Sequence, residues 1–232
     1  MSDDAATRPF DGATAKHIAR AFLPAFPLGN RYDYYYTLAK LRSDPLYPGV
    51  LAALRGSRAP LLDLGCGLGL LAHALRLDGQ AMAYRGVDID ARKIARAGRI
   101  AAKTGLCDTG FEIVDLAHRL PSHNGSVTLL DVLQYLSADA QRGLLEGVVS
   151  MLTPGARLVI RTSLADGSGR GRTTRISDRL AHVLGWMQAV PKHYPTRESL
   201  CAQLSAAGLT TTFEPLYAAT PFNNWLVVAT KA

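Results

Sequence analysis

Acidic residues are in short supply: 19 Asp and Glu stand against 26 Lys and Arg in 232 residues, a formal net charge of +7. That balance favours acidic partners such as nucleic acid, anionic lipid or an acidic carrier protein, although a merely solvated basic surface satisfies the same count. Cysteine is scarce as well. Cys66, Cys107 and Cys201 are odd in number, far apart and without zinc-site or C-x-x-C spacing. Neither a disulfide framework nor a metal centre is expected, and three reduced thiols in a cytoplasmic protein is the plain reading. No apolar run reaches the roughly 18 residues of a membrane helix. The opening Met1-Ser2-Asp3-Asp4 lacks the basic start of a secretory leader, so none is expected. What remains, with 48% hydrophobic and 19% charged residues, is the composition of one folded α/β domain rather than of a disordered chain.

The order of apolar patterns divides the chain. Residues 1–57 read as an N-terminal helical cap segment: a helix over 13–26 ended by Pro24 and Pro27, a second over Arg31–Arg42, and a third entered through Asp44-Pro45 as cap and first-turn proline and closed at Gly56. From 58 to 232 the rhythm becomes strand–helix alternation. Strands are expected at 59–64, 81–88, 111–114, 126–131 and 157–162, with helices at 68–77, 91–103, 138–152 and 196–207, then two closing strands at 209–217 and 225–231. Repeated βα units imply a Rossmann-like, mainly parallel sheet with helices on both faces. Residues 163–195 break the rhythm with Asp166-Gly167-Ser168-Gly169-Arg170-Gly171-Arg172 and read as an insertion placed to cover a substrate.

The strongest local signal is Leu61-Leu62-Asp63-Leu64-Gly65-Cys66-Gly67-Leu68-Gly69-Leu70-Leu71, a strand running into a glycine turn and then a helix. Glycine permits positive φ and close backbone approach to a ligand, and the helix start offers open N–H groups. A dinucleotide fingerprint wants its third small residue where this chain has Leu70, which weighs against NAD or FAD. Gly86-Val87-Asp88-Ile89-Asp90 ends the next strand, with Asp88 lying 25 residues after Asp63. A carboxylate there can accept hydrogen bonds from both hydroxyls of a ribose, each worth about 1.5–3 kcal/mol. Asp90 reads as the cap of the following helix.

The order Asp-x-Gly-x-Gly-x-Gly and then Gly-x-Asp resembles the class I S-adenosylmethionine methyltransferases. Val114-Asp115-Leu116 resembles the segment that holds the adenine. Leu129-Leu130-Asp131-Val132-Leu133-Gln134-Tyr135-Leu136 resembles the fourth-strand motif beside the methionine part, and Leu152-Thr153-Pro154-Gly155-Ala156 the turn before the fifth strand. The resemblance covers about residues 58–162 and implies a seven-stranded sheet whose last strand is antiparallel. It implies S-adenosylmethionine as cofactor and S-adenosylhomocysteine as product; the sequence shows no metal-ligand set, and metal-independent chemistry is expected. Residue by residue, it assigns cofactor contact to Asp63, Gly65, Cys66, Gly67, Gly69, Asp88, Ile89, Asp115, Leu116, Asp131 and Val132. Structural readings stand beside these: Asp131 as a strand-end cap, Val132 and Leu133 as core, Tyr135 as packing.

The acceptor is less legible. The fourth-strand motif lacks the Asn/Asp-Pro-Pro-aromatic signature of amino-methyltransferases, and none of the three cysteines follows a proline, as an RNA cytosine enzyme would require. A small-molecule aromatic acceptor is the default, with nucleic acid supported by charge alone. Tyr32, Tyr34, Tyr35 and Tyr36 before the core, and Trp186, Met187, His193 and Tyr194 in the insertion, are candidates to enclose an aromatic ring; packing of the cap is the alternative. For a phenol the base should be a histidine, whose pKa lies near neutrality. His193, His182 and His17 are the candidates, with Tyr135 a further catalytic possibility.

The segments Tyr34-Tyr35-Tyr36, Lys40-Leu41-Arg42-Ser43-Asp44-Pro45-Leu46-Tyr47, Asp88-Ile89-Asp90-Ala91-Arg92-Lys93-Ile94, Lys192-His193-Tyr194-Pro195-Thr196 and Thr220-Pro221-Phe222-Asn223-Asn224-Trp225 resemble methyltransferases of aryl polyene (xanthomonadin-type) pigment clusters. That resemblance implies methylation of a hydroxyaryl oxygen, or of the ring carbon beside it, on a substrate free or bound to a carrier. Arg161, Arg170, Arg172, Arg175 and Arg179 would then meet an acidic acyl carrier protein. RNA methylation and non-catalytic binding of the cofactor are the other readings.

Overall fold

A computed structural model describes residues 7–165, 191–217 and 223–231. The chain opens with α1 (Gly12–Arg20), α2 (Tyr32–Ser43) and α3 (Leu46–Leu54), then alternates β1 (Leu61–Leu64), α4 (Leu70–Leu77), β2 (Tyr84–Asp88), α5 (Ala91–Thr104), β3 (Thr109–Ile113), β4 (Ser126–Leu130), α6 (Ala138–Met151) and β5 (Arg157–Ser163). It closes with α7 (Arg197–Ala206), β6 (Leu209–Pro215) and β7 (Asn224–Lys231). The seven strands form one sheet in the order β3-β2-β1-β4-β5-β7-β6. β7 runs antiparallel to both of its neighbours, and the other pairings are parallel. The strand order reverses between β1 and β4, and crevices for ligands open at the carboxyl ends of strands at such a point.

Alternation along each strand divides the core in two. Leu61, Tyr84, Val159 and Leu226 face a layer built from α1, α3 and α4. Leu62, Leu64, Val87, Leu129, Leu158 and Ile160 face α6 and α7. The N-terminal helices have no core of their own, since Ile18, Phe22, Leu41, Leu46 and Val50 belong to the same buried cluster as Leu70 and Leu71 of α4.

Local chemistry sets most boundaries. The Asp90 side chain accepts from the Arg92 and Lys93 amides and starts α5, as its cap reading anticipated; Gly105, at φ +64°, ends it. Thr196 and Ser199 make a capping box at α7. Asp44 accepts from the amide of Leu46, but α3 begins at Leu46 with Pro45 as its cap residue, one place later than the sequence suggests. α1 stops at Arg20, well short of residue 26, and α4 begins at Leu70 because Gly69 occupies the left-handed region at φ +72°. β4 ends at Leu130 for the same kind of reason: Asp131 has φ +61° and leaves the strand.

The insertion after β5 has its ends joined. Ala165 donates its amide to the carbonyl of Pro195 at 2.9 Å, and the amides of Lys192 and His193 both reach the carbonyl of Gln134. Residues 166–190 lie outside the described residues, and with them His182, Arg170, Arg172, Arg175, Arg179, Trp186 and Met187.

The join between the N-terminal helices and α4 contains a buried histidine. His73 is 8% exposed and packs against the ring of Phe22 at 5.1 Å. Burial pushes its pKa down to about 4. The folded protein therefore holds His73 neutral where the unfolded chain would be protonated. Stability is unaffected above pH 6.5 and falls as pH drops from 6.5 to 4, by about 3 kcal/mol at the limit. Urea titrations of wild type and His73→Leu across this range should show the difference between them shifting by that amount. A pH-independent difference would show that His73 does not titrate on unfolding.

Candidate functional site

The turn after β1 is built on three left-handed glycines: Gly65 at φ +81°, Gly67 at +57° and Gly69 at +72°. Two of them are also sterically required. A Cβ on Gly65 would stand 2.5 Å from Cγ2 of Val132, and one on Gly69 would stand 2.6 Å from the Phe111 ring. Gly67 is different: a Cβ there would meet nothing within 4 Å, so this stretch of backbone faces open space. The turn is tied to β2 by the amides of Gly65 and Cys66, which share the carbonyl of Val87 at 2.8 and 2.9 Å. Cys66 lies against Gly86, where a Cβ would be 2.8 Å from its sulfur; burial raises the thiol pKa far above its usual value, so it serves packing rather than nucleophilic chemistry.

Asp88 stands at the mouth of this turn. One carboxylate oxygen accepts the Gly67 amide and the other the Asp90 amide, each at 2.9 Å. A carboxylate has about four lone-pair sites, so an orienting bond to each oxygen leaves acceptor capacity for two hydroxyls. Ile89 beside it is 63% exposed and offers an apolar surface. The end of β3 is tied in through the Val114 amide on the carbonyl of Asp88 at 3.1 Å. Asp115 follows, accepting from the Ala117 amide and the His118 ring, and both bonds hold its carboxyl below the usual carboxylate range. Leu116 is half-buried against the α6 and α7 core.

Asp63 occupies a different place from the other candidates. It is 2% exposed beneath the turn, and its two oxygens accept from the hydroxyls of Tyr84 and Thr128, both at 2.7 Å. The register explains the meeting: Thr128 lies opposite Asp63 on β4, and Tyr84 points the same way two residues before its partner on β2. Burial raises its pKa to about 6 against the pull of the two hydroxyl bonds. The structure therefore makes Asp63 a cross-strand brace under the turn.

On the far side of β1, a four-charge cluster closes the site. Asp131 donates its amide to the carbonyl of Arg161, and its carboxylate is bonded to the guanidinium of Arg161. Arg161 also reaches Asp44 at 3.2 Å, and Lys40 of α2 lies 3.4 Å from Asp44 and 3.9 Å from Asp131. Burial works against the charge on Lys40, but the Asp131 and Asp44 carboxylates prevail and hold its pKa above the usual lysine value. For Asp44, burial is overcome by Arg161 and Lys40, and its pKa falls. Arg161 is 5% exposed, so it is not part of a surface basic patch, as its sequence neighbourhood suggested; both of its partners are internal. The side chains of Lys40 and Asp131 remain 23% and 28% exposed and form the accessible edge of the cluster.

Of the expected catalytic residues, His17, His193 and Tyr135 are among the described residues. His17 is exposed near the end of α1. His193 is exposed and borders a groove between α6 and α7 with Gln141, Glu146 and Gln203. Tyr135 lies half-buried on a short 3₁₀ turn, Leu133–Tyr135, just past Val132. The tyrosines of α2 pack on one another, Tyr32 against Tyr36 at 6.1 Å and Tyr34 against Tyr35 at 5.1 Å. Among the described residues, no three His, Cys, Asp or Glu side chains cluster as a metal site would need. Lys40, Asp44 and Arg161 escaped the sequence reading as a group. A Lys-x-x-x-Asp pair looks like an ordinary surface helix pair, and its third member lies 117 residues beyond Asp44.

The cradle suits a nucleoside with an amino-acid tail: a bare backbone at Gly67, an oriented carboxylate at one side and an ammonium–carboxylate pair at the other. The comparisons agree with that geometry. The solved structure of an O-methyltransferase family protein from Burkholderia thailandensis superimposes with a TM-score of 0.65 at 18% identity, covering 86% of this chain and 59% of that one. Magnesium protoporphyrin IX methyltransferase from Synechocystis PCC 6803, solved with bound S-adenosylhomocysteine, gives 0.62 at 16% identity, covering 95% and 96%. Mitomycin 7-O-methyltransferase gives 0.65 at 20% identity, covering 87% and 57%. The chain thus spans about three fifths of the first and third of these proteins, and at such identities they share its fold. No curated protein matches the sequence. The pattern that defines the "Methyltransferase domain" family matches residues 56–199, more than half of the chain and the whole of the glycine turn, Asp88 and the Asp131 motif. The chain belongs to this methyltransferase family and has the Rossmann-like fold.

Proposed function

We propose that the enzyme methylates the hydroxyl of a small hydroxyaryl acceptor, with the methyl donor laid across the ends of β2, β1 and β4. The observation that carries the donor placement is the pair of polar anchors on either side of the glycine turn. Asp88 ends β2 and Asp131 follows β4; two strand spacings, roughly 10 Å, separate those positions across the sheet. Asp88 takes the ribose hydroxyls, with Ile89, Asp115 and Leu116 beside the base. The Lys40–Asp131 pair takes the amino-acid end, because an ammonium next to a carboxylate complements a zwitterion of the opposite arrangement. Gly65, Gly67 and Gly69 keep the middle of the site free of side chains, while Asp63 and Cys66 support the turn from below. When bound, the donor supplies an activated methyl group on a sulfonium.

The protein's own contribution to rate is then placement, which alone is worth up to about 7–11 kcal/mol when the nucleophile is held in line. The hydroxyaryl reading is supported by the flanking segments that resemble aryl polyene enzymes. The O-methyltransferase fold neighbours are compatible with it. The carrier-protein partner keeps only Arg170, Arg172, Arg175 and Arg179 as candidate contacts, since Arg161 is committed to Asp44 and Asp131.

Asp88→Ala should weaken S-adenosylhomocysteine by roughly 100-fold or more in calorimetry, the loss of two charge-assisted hydrogen bonds, with thermal melting showing a retained fold. Unchanged affinity would remove Asp88 from the ribose site.

Lys40→Met should weaken S-adenosylhomocysteine about tenfold, in line with a single partly exposed charge contact, while leaving 5′-methylthioadenosine, which lacks the amino-acid end, bound as before. An equal loss for both compounds would mean that Lys40 serves the fold or the nucleoside instead.

The positions of His17 and His193 predict that His17→Ala and His193→Ala each leave turnover within a few-fold of wild type on a phenolic acceptor. A fall of about 100-fold, the scale of a lost general base, would restore the affected histidine to the reaction.

A further inference from the structure

The segment between α1 and α2 turns an apolar tip outward. Phe26 is 77% exposed and Leu28 fully exposed, on either side of Pro27, and the first turns of α2 continue the surface with Tyr32 at 61% and Tyr35 at 58%. A contiguous exposed patch of this kind marks a surface for a partner or a membrane. Its surroundings are cationic. α5 carries five Lys and Arg and no Asp or Glu in fourteen residues. Its last turn adjoins the tip, with Lys103 donating to the carbonyl of Leu23 at 2.9 Å, and exposed Arg99 lies one turn earlier on the helix. Arg31 lies within the segment and bonds the carbonyl of Pro27, while exposed Arg20 ends α1 directly before it. The acid nearest in sequence, Asp33, is paired with Arg96 of α5 at 2.8 Å and leaves the surrounding charge positive.

From this arrangement we infer that the 23–32 segment and α5 form a docking surface for an anionic lipid bilayer. Phe26 and Leu28 enter the acyl boundary, Tyr32 and Tyr35 lie at the headgroup level, and Arg20, Arg31, Arg99 and Lys103 meet the lipid phosphates. The charge complementarity selects an anionic surface, and a fully exposed leucine beside a phenylalanine gains most from hydrocarbon. Nucleic acid would use the cations and the rings but has little use for the aliphatic tip. Because α2 runs from this surface to Lys40 at the edge of the site, docking sets the mouth of the site against the membrane, where a lipid-dissolved acceptor can enter.

Flotation of the full-length protein with vesicles tests this. Vesicles containing phosphatidylglycerol should carry the protein at low salt, and pure phosphatidylcholine vesicles should carry much less. Raising the salt to about 0.5 M should release most of it, as screening of surface charge demands. Phe26→Ser with Leu28→Ser should cut vesicle binding about tenfold or more, with melting temperature and S-adenosylhomocysteine affinity unchanged. Arg99→Glu with Lys103→Glu should abolish the preference for phosphatidylglycerol. Equal binding by the wild type and the Phe26/Leu28 variant would overturn the inference. So would a wild-type dimer in sedimentation velocity that the same two serines dissolve, or a matching tenfold loss of tRNA binding, since either would assign the tip to another partner.

Discussion

Three hydrogen bonds between the turn after β1 and the end of β2 govern the arrangement of the site. Gly65 and Cys66 converge on the Val87 carbonyl, and Gly67 bonds the Asp88 carboxylate. They hold a left-handed path that costs an ordinary residue about 1–2 kcal/mol at each position and costs glycine little. The same bonds orient the carboxylate before any ligand arrives. Below the turn, the buried Asp63 brace joins β1 to both of its neighbours, so β2, β1 and β4 share a polar connection beneath the glycine turn. Leaving such a carboxylate without its hydroxyls would cost several kcal/mol, which gives Tyr84 and Thr128 a reason to stay in place.

The second half of the site depends on a conformation that sequence preference disfavours. Asp131 has positive φ without being glycine, a strain of about 1–3 kcal/mol. Its amide bond to the Arg161 carbonyl and the ion pair with the Arg161 side chain hold it there. Asp44 shares that guanidinium, and Lys40 lies between the two acids, so α2 and the α2–α3 junction are bound to the strand ends they overlie. The N-terminal helices therefore adjoin the candidate site as well as the core: one end of α2 brings Lys40 to Asp44 and Asp131, and its other end pairs with α5 through Asp33 and Arg96.

Much of the architecture was legible along the chain because it rests on short-range rules. Buried parallel strands read as apolar runs, the glycine spacing marks a turn that only glycine can make, and Asp90 and Thr196 cap helices a few residues away. Boundaries moved where a single residue entered the left-handed region. Gly69 delayed α4, and Asp131 ended β4 early. The histidine candidates rested on a near-neutral pKa and on their place in the cap or the insertion, neither of which fixes a side chain's surroundings: His17 is exposed on α1 and His193 lies beside the α6–α7 groove.

By itself, the sequence determined the alternating α/β plan, the glycine turn after the first strand and the acid at the end of the second strand, because each depends on residues within one or two elements. Only the tertiary structure decided that Asp63 braces β1 to both of its neighbours, that Arg161 is an internal counter-ion, and that Lys40 meets Asp44 and Asp131. The reason is physical: a buried charge takes its role from whatever the fold brings within about 4 Å of it, and Arg161 meets partners 30 and 117 residues away.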